Sequence, residues 1–383
     1  MATKNFQNSY TIQSFIRKAW RIMWIFISAL LAIIAIFLGV LLACSPGKTK
    51  LIVGENGRPI VGGISEKIFV NINGVNQGMI IQSRDETNPV LLFLHGGPGM
   101  PEYFLTERYP TGLENDFTVV WWDQRGAGLS YQAGIPIESM TIEQVISDTL
   151  AVTNYLRSRF GKEKIYLMGH SGGSFFGIQA AARAPELYHA YIGMGQVTFQ
   201  LKSETLAYDY MLKQFKENGN TRMVRKLEAA PPTLTGRLPL SYDQMRDDAM
   251  HSLGIGTTRD MKSVITGVFL PSWFSTEYTI GEKVNLWRGK VFSQRLLRSQ
   301  VFATDLTKQV KALDIPVYFF SGIYDYTVNY SLSKNFLADL QAPLKGFYTF
   351  ERSAHSPVFE EPEKVQEILR EDILAGANLL ADY

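Results

Sequence analysis

The sequence predicts an α/β fold with a mostly parallel central sheet, helices on both faces, a helical insertion and an apolar N-terminal helix. Three observations predict it. Short apolar runs, as doubly buried strands require, alternate with segments of helical period along residues 67–195 and again along 310–383. Between those blocks, residues 196–309 read as helix throughout, with Pro231-Pro232, Trp273 and Trp287 but no obvious buried strand. Ahead of both, Met23 to Ala43 carries no charge and one hydroxyl, Ser28.

The apolar run comes first in the chain. About 20 such residues at 1.5 Å rise span a hydrocarbon core about 30 Å thick. A helix buried in a soluble core is rarely apolar on every face. The basic tail, residues 1–22, holds Lys4, Arg17, Lys18 and Arg21 and no acid. Trp20 and Trp24 stand where an interfacial aromatic belt would lie, and Lys48 and Lys50 precede the first acid, Glu55. This charge pattern predicts a single-pass anchor over 23–43, with a cytoplasmic N-terminus and everything from about residue 45 outside. A second reading is a lipoprotein signal. Leu41-Leu42-Ala43-Cys44 resembles a lipobox, although a smaller residue is usual at Leu42, and cleavage would leave a lipidated Cys44 as the first residue.

Residues 44–66 read as a tether or an early hairpin. Lys67 to Asn71 and Gln77 to Gln82 form a strand pair around Asn73-Gly74. Val90 to Leu94, Phe117 to Trp122, Lys164 to Met168 and Ala190 to Met194 continue the strand series. Thr141 to Phe160 has apolar residues at helical spacing, and Ser174 to Ala184 is helix-like. Ile315 to Phe320 and Gly346 to Phe350 resume the strands, and Glu360 to Leu380 reads as a final helix. The 196–309 insertion thus predicts a cap over the C-terminal edge of the sheet, where open α/β sheets bind ligands.

Composition narrows the function. The chain has 383 residues, 46% hydrophobic and 19% charged, with a formal net charge of +2. It has no basic run and no zinc-type Cys/His spacing, which excludes the usual nucleic-acid readers. The single cysteine, Cys44, allows neither an intrachain disulfide nor a cysteine metal site.

The chemistry is carried by four short motifs. Gly169-His170-Ser171-Gly172-Gly173 joins a strand to a helix. Its glycines allow a tight turn that exposes a serine hydroxyl, which becomes a nucleophile once a base is beside it. His95-Gly96-Gly97-Pro98-Gly99 follows Val90 to Leu94 and lets the backbone approach a substrate. The backbone N–H groups of Gly97 and Gly172 are assigned as the donors that meet the oxyanion of acyl transfer. Of five histidines, His355 lies in the loop after the Gly346 to Phe350 strand and is assigned as the base. His170 is expected to point away from Ser171, His95 belongs to the glycine loop, and His189 and His251 have unremarkable contexts. Asp325 follows Ile315 to Phe320, whereas Asp314 precedes that strand and falls at the wrong end of the sheet. Asp325 is therefore the acid that orients His355, in chain order Ser171, Asp325, His355. Asp123 and Arg125, in the stretch Asp123 to Ser130, have two readings, a catalytic role and, in first place, a charged pair bracing a tight turn beneath the site.

Taken together, His95 to Gly99, Asp123 to Ser130, Gly169 to Gly173, Asp325, and His355 with Glu360-Glu361-Pro362-Glu363 resemble the proline iminopeptidase branch of the α/β-hydrolases. The resemblance implies an α/β-hydrolase core and a serine aminopeptidase that removes an N-terminal residue, often proline, from a peptide. It implies neither a metal nor an organic cofactor. The sequence departs from the family at Gly172, where a bulky Trp is usual. The family's cap acids, which bind the substrate ammonium, match no motif here. Glu204 and Glu277 are the candidates, each read in first place as an exposed surface acid. Two other functions use the same fold: an esterase, lipase or amidase acting on small or lipid-like acyl substrates, and a catalytically silent binding module. The motifs give no oligomeric state.

Overall fold

A computed structural model describes residues 2–54 and 56–382, with side chains from Phe15 onward. Met1, Glu55 and Tyr383 lie outside the described residues, so the flanking charges of Lys4 and Glu55 are known from sequence alone. Helix α1 runs from Ala2 to Ala43. The basic tail is therefore no separate segment but the first half of the same helix. Its stretch Phe15–Ala43 is long and apolar enough to cross a membrane, and its large side chains are exposed.

After α1, residues 45–63 run along the domain and include a bridge between Val53 and Pro59. Strands β1 (Ile64–Ile72) and β2 (Val75–Ser83) pair antiparallel across the Asn73-Gly74 turn. There follow β3 (Val90–Leu94), β4 (Thr118–Trp122), α2 (Ile142–Phe160), β5 (Ile165–His170), α3 (Gly172–Arg183) and β6 (Tyr188–Met194). The insertion supplies α4 (Gln200–Glu217), α5 (Thr221–Glu228), α6 (Leu240–Ser252), α7 (Leu270–Phe274), α8 (Ile280–Ala303) and α9 (Leu306–Gln309). A π-helical turn, Ile265–Phe269, leads directly into α7. The sheet resumes with β7 (Val317–Gly322), α10 (Tyr330–Asp339), β8 (Lys345–Phe350), α11 (Pro357–Glu360) and α12 (Pro362–Ile368).

The eight strands order β1-β2-β4-β3-β5-β6-β7-β8. The pairs β1–β2 and β2–β4 are antiparallel and the rest are parallel. Alternation along β3 separates the two faces: Val90, Leu92 and Leu94 enter one core, Leu91 and Phe93 the other. Both faces are covered, which is why the central strands read as unbroken apolar runs. A third cluster around Met211, Tyr242 and Met250 belongs to the insertion.

Two expectations are corrected. The stretch from Glu360 to Leu380 is not one helix. Pro357 and Pro362 each begin a short helix, and α12 passes into a π turn, Leu369–Ile373, before the chain leaves helical structure. Proline lacks the N–H that would continue a preceding helix, so each one restarts it. Asp123 and Arg125 also do not pair with each other. Arg125 is buried against Asp148 of α2, with Nε–Oδ2 at 2.6 Å and Nη2–Oδ1 at 3.0 Å. Asp123 instead accepts from Leu129 N–H at 2.7 Å, and burial pushes its carboxyl up to about 8.

Candidate active site

Ser171 stands between β5 and α3 with φ 52° and ψ −122°. Only it and Asn73 among the described non-glycine residues have positive φ. Such a backbone is strained and persists only where the surroundings impose it. Here β5 is paired on both sides, with β3 and β6, and α3 packs on the sheet immediately after the turn. The serine is thereby held at the C-terminal edge of the sheet.

Gly97 has φ +118°, a conformation that side chains rarely allow. Its N–H has no hydrogen-bond partner among the described residues. The N–H of Gly172, as the first residue of α3, has no intrahelical acceptor. A Cβ on Gly172 would lie 2.8 Å from the Gly97 carbonyl oxygen and 3.2 Å from its nitrogen. The two backbones thus approach each other closely beside Ser171.

His355 and Asp325 come from the loops after β8 and β7. His355 Nδ1 lies 2.9 Å from Asp325 Oδ2, and both side chains are buried. Asp325 Oδ1 accepts from Val328 N–H at 2.8 Å, which fixes the carboxylate. An acceptor at Nδ1 requires the proton there and leaves the Nε2 lone pair free. Ser171, His355 and Gly97 line one cavity, and Ser171, Gly97 and Gly172 line an adjoining one.

His170 ties two loops together. Its Nδ1 faces Glu102 Oε2 at 2.7 Å and its Nε2 faces the His355 carbonyl at 2.9 Å. Both partners are acceptors, so both ring nitrogens donate and His170 is an imidazolium. Burial opposes that charge, yet the Glu102 carboxylate outweighs it and raises His170 above its ordinary value. Burial likewise opposes charge on Glu102, but His170 and the Gly96 N–H, at 2.7 Å, hold it low. His95 is different: Nδ1 bonds the Gly96 carbonyl and Nε2 accepts from Gln124 N–H, so the ring is neutral and structural.

Glu360 holds the His355 loop. Its Oε2 accepts from Ala354 N–H at 2.9 Å and Ser356 N–H at 3.3 Å, and Oε1 from Arg259 N–H of the insertion at 2.6 Å. Burial pushes its carboxyl up to about 7, against the pull of these amides.

Neither acid singled out in the insertion is a surface residue. Glu204 is fully buried, bonded to Arg246 Nε at 2.7 Å and Tyr242 Oη at 3.0 Å. Glu277 is buried against Ser275 Oγ at 2.7 Å and lines a cleft with Lys50 and Tyr103, away from Ser171. Besides Glu102, the Ser171 cavity is lined by the carboxylate of Asp247 of α6, whose side chain is 56% exposed. It takes one bond from Arg246 Nη1 at 2.7 Å, and the charge of Arg246 keeps its carboxyl low. Lys290 of α8 lines the same cavity, with Nζ 5.1 Å from the Trp287 ring centre. Burial lowers its basicity, offset in part by Asp247. His251, without a role in the sequence reading, also lines this cavity.

A parallel sheet with this strand order, a strained serine after β5 and a His–Asp pair after β8 and β7 define an α/β-hydrolase. Residues 89–362 match the alpha/beta hydrolase fold family, and the chain belongs to it. A probable aminopeptidase, YbaC, of Bacillus subtilis is 35% identical over 295 residues, covering 76% of this chain and 91% of its own. A proline iminopeptidase of Saccharolobus solfataricus is 25% identical, covering 80% and 92% respectively. Among solved structures, a proline iminopeptidase-related protein from Thermus thermophilus shares the fold, with a TM-score of 0.58 at 21% identity, over 82% of this chain and 98% of that one.

Proposed function

We propose that the protein is a membrane-tethered serine hydrolase that removes the N-terminal residue, proline among the candidates, from short peptides. The observation that carries the reading is the buried 2.9 Å contact of His355 with Asp325 in the cavity that holds the strained Ser171. In this reading Ser171 Oγ attacks the substrate carbonyl and its proton passes to His355 Nε2. Asp325 holds the imidazole orientation and stabilises the imidazolium. The developing oxyanion meets the N–H groups of Gly97 and Gly172. His355 returns the proton to the leaving amine, and water then hydrolyses the acyl-enzyme through the same base.

The name of the 35% identical relative supports aminopeptidase chemistry over ester cleavage. Asp247 supports it as well, because a carboxylate that lines the Ser171 cavity and holds one bond, from Arg246, suits a free ammonium. The domain stands outside the cytoplasm, carried by α1, on the charge pattern around that helix.

A fluorophosphonate probe tests the chemistry: labelling of wild type is expected and labelling of Ser171→Ala is not. Equal labelling of both would refute the assignment. Aminoacyl-naphthylamides against acyl esters then test the class. Efficient ester turnover with no release from any free-amine substrate would overturn the peptidase reading. Metabolic lipid labelling of wild type and Cys44→Ser decides the tether, since label lost in the variant means a lipoprotein.

A further inference from the structure

We propose that the outer side of residues 265–274 lies in the lipid headgroup and acyl boundary, giving the chain a second contact with the bilayer beyond α1. This rests on the membrane-tethered part of the proposed function.

The segment Ile265–Phe274 is an apolar helical stretch of ten residues. At 1.5 Å per residue it is about 15 Å long, half of what a span needs, so it can lie on a bilayer but not cross it. Ile265, Phe269, Leu270 and Phe274 are 63, 38, 40 and 52% exposed. Four large apolar side chains together in solvent mark a surface that something covers. The opposite side is buried through Gly267, Val268 and Ser272.

The position of α1 says what covers it. Lys283, fully buried on α8, donates to the Cys44 carbonyl at 2.6 Å, Ser45 Oγ at 2.9 Å and the Trp273 carbonyl at 2.7 Å. One ammonium therefore clasps the end of the apolar helix α1 to the end of α7. Gly47 N–H adds a bond to the Thr276 carbonyl at 3.1 Å. Where α1 leaves the hydrocarbon, the exposed apolar side chains of this segment stand beside it. The flanking residues suit a headgroup layer: Lys48 and Lys262 are exposed, and Phe269 packs on Trp273 and Trp287 with ring centres 6.1 and 4.9 Å away. A charged or purely polar partner protein would find no match in four apolar side chains, whereas a bilayer already bound to α1 does.

The placement bears on the reaction. Val264 and Val268, at the start and on the buried side of the same segment, line the cavity that contains Ser171. The lipid contact and one wall of the cavity are then two sides of one short helix.

The test uses the full chain, Cys44→Ser, reconstituted in phosphatidylcholine–phosphatidylglycerol vesicles. A single cysteine carrying an environment-sensitive fluorophore is placed at Ile34, Phe269, Phe274 or Ile137. Ile137, at 63%, is more exposed than Phe269 and Phe274, but lies in the loop before α2. Labels at 269 and 274 are expected to shift to the blue and to be quenched by brominated acyl chains several-fold more than the label at 137. Quenching at 269 and 274 equal to that at 137 overturns the proposal. The label at Ile34 reports separately on α1: if it is not quenched, the anchor reading fails, while 269 and 274 still decide the second contact.

Discussion

Glu102 is the residue through which the glycine loop, the nucleophile turn and the His355 loop are joined, and two substitutions separate its hydrogen bonds from its charge. In Glu102→Gln, the amide oxygen can still accept from Gly96 N–H. The amide nitrogen can donate to His170 Nδ1, and a neutral His170 can still donate from Nε2 to the His355 carbonyl. Every bond survives and only the ion pair is lost, for a cost of about 1 kcal/mol. Glu102→Ala strands the buried Gly96 N–H, at about 1–3 kcal/mol, and removes a charge-assisted bond of about 1.5–3 kcal/mol, so roughly 4 kcal/mol in all. The pH dependence has a definite sign. The depressed Glu102 contributes stability above its ordinary value of 4.5, lost as pH falls through its folded value. The raised His170 contributes stability fully below its ordinary value of 6.5, lost as pH rises through its folded value. The penalty of Glu102→Gln is therefore greatest between the two ordinary values, 4.5 and 6.5, and shrinks as pH rises through the folded value of His170. Urea unfolding of the full chain in detergent, followed by tryptophan fluorescence across a pH series, measures it. Equal cost for Gln and Ala, or a Gln penalty that does not change with pH, would refute the reasoning.

Three further outcomes are expected. Asp148→Ala leaves Arg125 buried without its counter-charge and should cost about 3–5 kcal/mol in urea unfolding, with activity per folded molecule retained. Glu360→Ala releases the Ala354 and Ser356 amides that hold the His355 loop; kcat should fall about 10–100-fold with little change in KM. Since Glu360 sits at about 7 when folded, above its ordinary value of 4.5, the native chain binds that proton more tightly and loses stability as pH rises between the two. Glu360→Gln should flatten that slope in a thermal-unfolding series. Asp247→Asn should raise KM for free-amine naphthylamides about tenfold, near 1.4 kcal/mol, and leave kcat nearly unchanged; an unaltered KM would remove Asp247 from amine recognition.

The strands and the candidate site residues are legible because their signals are local. Central strands such as Val90–Leu94 must be apolar on both faces, and the glycines around Ser171 answer a backbone need that the φ of 52° displays. Glu102, Asp247 and Lys290 carried no such signal. Glu102 reaches His170 across 68 positions of sequence, and Asp247 and Lys290 meet Ser171 only through the packing of α6 and α8. Glu204 and Glu277 looked like surface acids for the same reason. The partners that permit their burial, Arg246 and Ser275, become partners only once the insertion folds. The last helix reads too long because apolar spacing runs across Pro362 and on past Ile373, where the backbone leaves helical structure.

The departure at Gly172 then has a structural consequence for selectivity. With a Cβ at this position only 2.8 Å from the Gly97 carbonyl, the turn offers a substrate two backbone amides and no side chain. Whatever substrate is preferred must be chosen by the remaining walls of the cavity, among them Asp247 of α6, Lys290 of α8, and Val264 and Val268 beside α7. Asp247 contributes a carboxylate bonded to Arg246 and Lys290 an ammonium near the Trp287 ring, so the cavity carries both signs of charge. Substitutions that alter selectivity are therefore expected in α6 and α8, where they change KM among substrates. Substitutions in the nucleophile turn are expected to change kcat for all substrates alike.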